Sequence, residues 1–112
     1  MNIKAALDNE KKICITFRIE AGCLGPQGEN YIEDFCISAQ KSFLNMNKEF
    51  VIWKIMPRHD KSLPELEYTI NNKKLTHDKA EKYLNVFNEN LNKFEETFQD
   101  KLANYIDEYL GH

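Results

Sequence analysis

Between residues 13 and 20 the chain alternates with a period of two: Ile13, Ile15, Phe17 and Ile19 are apolar, and Cys14, Thr16, Arg18 and Glu20 between them are smaller or more polar. That alternation predicts a strand with one buried face. The period then lengthens: Ile32, Phe35, Cys36, Ala39 and Phe43 fall on one face of a helix, with Glu29, Glu33 and Asp34 early and Lys41 late, as the helix dipole favours. Residues 50–56 are apolar on both faces and end at Pro57, which predicts a strand covered on both sides or lying inside the sheet. Leu66, Tyr68 and Ile70 alternate with Glu65, Glu67 and Thr69, and the connection 58–64 is short enough to pair this strand antiparallel with the previous one. Asn71 and Asn72 then turn the chain, with room for a brief return through 73–75.

From His77 to Leu110 there is neither Gly nor Pro, and Ala80, Leu84, Phe87, Leu91, Phe94, Phe98, Leu102, Tyr105 and Tyr109 recur every three or four positions. With Thr76 as N-cap and Gly111 as C-cap, the pattern predicts one long helix over 76–110. A kink, if any, belongs near 88–92, where Asn88, Asn90 and Asn92 fall. Asparagine costs a helix interior far less than glycine or proline, so propensity favours continuity. Such a helix would run about 51 Å, against a diameter of roughly 34 Å for a compact domain of this size. The overhang would display Phe94, Phe98, Leu102, Tyr105 and Tyr109, and a second copy of the chain is the simplest cover, because closed two-fold interfaces predominate among oligomers. A helical hairpin folding back on its own domain would consume the same side chains.

The elements follow the order β-α-β-β-α, which predicts one α+β domain over residues 1–112, with 1–12 an N-terminal extension. Its three-stranded mixed sheet would carry helices on one face. With a right-handed first crossover, the order resembles a ferredoxin-like sandwich lacking its last strand, over residues 13–90.

A chain of 112 residues with 42% hydrophobic positions can build a core without metal or disulfide support. The formal net charge of -3 argues against a dedicated nucleic-acid partner. A local basic patch from Arg58, Lys61, Lys73, Lys74, Lys79 and Lys82 would be diluted by Asp60, Glu65, Glu67, Asp78 and Glu81. The three cysteines form no C-x-x-C pair, and His59, His77 and His112 share no ligand spacing, so neither a disulfide framework nor a metal site is expected. With no apolar signal segment at the start and no run long enough to span a membrane, the expected setting is the reducing cytoplasm.

Candidate chemistry concentrates in the glycine-rich segment 22–28. Gly25 and Gly28 precede a helix N-terminus and would let an anion or cofactor approach the backbone, but no phosphate-loop lysine follows and Glu29 repels phosphate, so a tight structural connection is the simpler reading. Cys23 lies in the same loop, where a helix N-terminus would favour its thiolate. Together with His59 and Asp60 it is the one set that would serve nucleophilic catalysis, although adjacent His59 and Asp60 cannot easily orient one another. No cofactor is implied. The leading functional expectation is a non-enzymatic homodimer that binds and adjusts another protein. The alternatives are a thiol-dependent enzyme or ligand-binding protein using Cys23 and the loop, and, more weakly, a nucleic-acid accessory factor.

Overall fold

A computed structural model describes residues 7–111. Strands β1 (Ile13–Ile19), β2 (Val51–Pro57), β3 (Leu66–Ile70) and β4 (Lys73–Lys74) form a mixed sheet, and helices α1 (Gly28–Phe43), α2 (His77–Val86) and α3 (Leu91–Leu110) complete the domain. The segment 1–6 of the expected extension and His112 lie outside the described residues.

The strand order is β2-β1-β3-β4. β1 pairs in parallel with β2, Ile15 opposite Trp53, and antiparallel with β3, Ile15 opposite Tyr68. Two expectations are corrected here. First, β2 and β3 do not pair: the connection between them carries the chain across the end of β1, held by Arg58 N–H donating to Ile19 O and Arg18 N–H donating to Glu65 O. A ferredoxin-like sheet splits its β-α-β unit with the third strand, whereas here β1 and β2 are direct neighbours. Second, β2 is an edge strand and β1 the interior one. The mixed apolar pattern of β2 reflects Ile52 and Met56, half-buried on the sheet face opposite the helices. On that face β1 presents only the small Cys14 and Thr16 near its start, and both are buried between the longer side chains of the flanking strands.

The sheet has a fourth strand beyond the three expected. Asn71 and Asn72 both adopt positive φ, 51° and 67°, the conformation of a two-residue hairpin turn, and Ile70 opposite Lys73 closes it.

All three helices pack on one face of the sheet. α1 buries Ile32, Phe35, Cys36, Ala39 and Phe43 against Ile13, Ile15, Phe17 and Ile19 of β1 and Val51, Trp53 and Ile55 of β2. Trp53, 2% exposed, donates its indole N–H to Met46 O at 2.7 Å.

The expected helix over 76–110 is two helices. α2 stops at Phe87, Asn88 turns left-handed at φ 63°, and Asn90 caps α3 by accepting from Lys93 N–H at 3.0 Å. Asparagine is a mediocre interior residue but one of the best N-caps, and it tolerates the left-handed conformation at a helix end. The interior cost of asparagine alone favours continuity; the cap gains decide the break. α3 therefore lies over the sheet. Phe94, Phe98 and Leu102 are buried in the chain's own core, Tyr105 is half-buried against it and bonds Ser38 of α1, and only Tyr109 of the expected dimer-interface residues is exposed.

Candidate functional site

Parallel β1 and β2 end side by side, so whatever follows each strand meets at one end of the sheet. After β1 come Glu20, a 3-10 turn over Ala21–Leu24, and the entry to α1; after β2 come Arg58, His59 and Lys61. A cleft of about 860 Å³ opens between these segments, with Ile19 and Ile32 among its apolar lining and Gly22, Gly25 and Gly28 along one wall.

The three glycines differ in what requires them. Gly25 sits at φ 88°, ψ -171°, a conformation other residues rarely adopt. At Gly28 an added Cβ would lie 1.8 Å from Ala21 O, so the 3-10 turn packs directly on the start of α1. Gly22 meets neither constraint: nothing lies within 4 Å of a Cβ placed there.

Ion pairs at Glu20 and, farther out, a histidine–carboxylate contact link the two sides of the cleft. Glu20 accepts from Lys61 Nζ at 2.8 Å and from the Arg58 guanidinium. These hydrogen bonds, Lys61 first, hold its carboxyl below the usual range. Arg58 also donates to Leu63 O, which fixes the loop after β2. Farther out, His59 Nε2 lies 3.2 Å from Glu33 Oε2 of α1, both side chains exposed. Glu20, Glu29 and Glu33 face Arg58 and Lys61 in the lining, a slight excess of negative charge, so it suits a neutral polar or cationic group better than a phosphate.

Gly25 and Gly28 are both in the wall, but Cys23 is not; it is exposed on the 3-10 turn, while Cys14 and Cys36 are buried. Asp60 is engaged locally, accepting from the backbone N–H of Ser62 at 2.9 Å and from its hydroxyl. None of the observed hydrogen bonds joins Cys23, His59 and Asp60 to one another. The six basic residues do not converge either. Antiparallel pairing places Lys73 and Lys74 near the start of β1, at the opposite end of the sheet from Arg58 and Lys61.

The sequence points to Arg58 and Lys61 only as part of a diffuse basic patch and to Glu33 only as an acidic residue early in a helix; their meeting with Glu20 at one cleft is not foreseen there. Their signal was positional: Glu20 follows β1 and Arg58 follows β2, and a direct parallel pairing of those strands brings them together. Among the described residues no group of His, Cys, Asp and Glu has the arrangement of a metal site, and no helix is long and apolar enough to cross a membrane. No protein-family model matches this chain, nor does any curated protein or solved structure.

Proposed function

We propose that this is a non-enzymatic, cytoplasmic binding protein whose cleft at the carboxyl ends of β1 and β2 receives a segment of another protein. The observation that carries the reading is the cleft itself, at the position where sheets with parallel strands commonly bind their ligands. Its rim of Glu20, Glu29, Glu33, Arg58 and Lys61 is more charged than the largely apolar pockets that hold small molecules. A polar segment of a protein surface, with a basic side chain directed to Glu29 and Glu33, fits that lining. Catalysis is not favoured, since Cys23 lies outside the walls and the observed partners of His59 and Asp60 belong to other groups. Three unpaired thiols accord with a reducing compartment. Dimerisation through Phe94, Phe98 and Leu102 is not part of this reading, because one chain already buries them.

A small ligand is the second reading, favoured by the cleft volume and by the three glycines in its wall. One variant addresses both. Gly22→Trp places a large side chain where open space exists, without the steric cost expected at Gly28. Wild type, Gly22→Trp and the remote control Val86→Glu would each be used to capture partners from the source cells, and native mass spectrometry would register any bound small molecule. The expected result is a protein partner retained by wild type and by Val86→Glu but lost by Gly22→Trp. A partner set unchanged by Gly22→Trp contradicts the proposal, and a small molecule lost with that variant favours the second reading.

A further inference from the structure

β2 is an edge strand, and the backbone groups it turns away from β1 form a ready template for another strand. One side chain occupies that edge. Gln40, half-buried on α1, donates from its amide nitrogen to Trp53 O at 2.6 Å, and its amide oxygen accepts from Ile55 N–H at 2.7 Å. These are the two bonds that one residue of a neighbouring parallel strand would make opposite Lys54. The side-chain amide thus stands in for a peptide group of a missing strand. Because one bond needs a donor and the other an acceptor, Asp, Glu, Lys or Leu at this position would satisfy at most one.

The surroundings give this closure something to prevent. Ile37 of α1 and Leu44, the residue that caps its end, lie at i-3 and i+4 from Gln40 and so on the same side of the helix, and are 58% and 56% exposed. A strand added to β2 would cover them. The occupant that the backbone geometry favours is a second copy, because two antiparallel β2 edges related by a two-fold axis offer each other the same backbone groups. On such an axis through the middle of the strand, exposed Lys54 would face its own counterpart, a like-charge pair that discourages this pairing.

We propose that Gln40 is a sheet-edge plug: it keeps the chain from pairing β2 to β2 with a second copy, and Lys54 reinforces it. The inference is independent of what the cleft binds. Its test uses full-length wild type, Lys54→Thr and the double variant Gln40→Met/Lys54→Thr, where methionine keeps side-chain length and helix propensity without hydrogen bonding. Light scattering behind size exclusion would measure mass across a hundredfold concentration range, and hydrogen exchange would follow the Ile55 amide. Wild type and Lys54→Thr are expected to remain at the 13.2 kDa monomer mass. The double variant should rise to twice that mass with concentration, its Ile55 amide exchanging rapidly when dilute and slowly when concentrated. A folded double variant that stays monomeric throughout overturns the proposal. So does one that unfolds as a monomer, since the amide would then serve to hold α1 on the sheet, and so does a wild type already paired through β2.

Discussion

The ring of Phe98 meets that of Trp53 edge-on, with centroids 5.4 Å apart and planes at 75°, so the middle of α3 is seated on β2 of its own sheet. Phe98 makes a second edge contact with Phe17 of β1 at 5.9 Å. Aromatic edge-to-face pairs add to the burial of their area, and here they join the last helix to the first two strands. Phe98→Ala is therefore expected to cost about 3–5 kcal/mol of stability, in the range for emptying a fully buried phenylalanine site. Urea unfolding checks this. The pair Phe98→Lys and Leu102→Lys should abolish the cooperative transition; a well-folded monomer carrying both lysines would mean that α3 is not core.

The break between α2 and α3 makes its own prediction. Asn90→Ala removes the side-chain acceptor for Lys93 N–H and should cost about 1 kcal/mol. Asn88→Ala forces a Cβ-bearing, non-polar residue into the left-handed region and should cost about 1–2 kcal/mol, while Asn88→Gly should be nearly neutral. Equal effects of Ala and Gly at position 88 in thermal melts would contradict the geometry.

Much of this architecture was legible in the chain. The apolar face of α1, the position of β1, the Thr76 cap and the Gly111 stop each follow from one local rule, and each is found where that rule places it, although the second face of β1 is buried too because the strand lies inside the sheet. What failed depended on choices between local rules. The seven residues 58–64 are compatible with a hairpin, and nothing local reveals that Arg58 and Arg18 anchor the segment across the end of β1. That choice hid the cleft, because Glu20 and Arg58 become neighbours only if β1 and β2 do. Gln40 is a neutral polar residue on a helix, and its hydrogen bonds to Trp53 and Ile55 depend on tertiary placement.

Thiol reactivity should separate the three cysteines. Cys23 is exposed, whereas burial, with a lesser effect of Glu33, pushes the Cys36 thiol up to about 12. At neutral pH a maleimide should label the native protein once, at Cys23, and three times after denaturation. Native labelling of Cys36 at a comparable rate would show that α1 is not packed on the sheet.

Alkaline pH should weaken the fold through Tyr68. Its hydroxyl donates to the Glu95 carboxylate, and burial first, then that hydrogen bond and the nearby charge, raise its pKa above the usual tyrosine value. With the native value raised, the stabilisation is complete below the unfolded value near 10 and declines as pH rises beyond it, because the unfolded chain loses its proton first. Unfolding free energy measured between pH 9 and 11 should therefore fall for wild type and fall less steeply for Tyr68→Phe. Parallel curves would show that Tyr68 is not held in this bond.

Hydrogen exchange with and without the captured protein partner tests the binding cleft most directly. The account requires slower exchange on binding within 20–33 and 57–61, the segments that line the cleft, and unchanged exchange around Val86 on the exposed end of α2. Protection that spares both cleft segments while appearing elsewhere on the chain would contradict it.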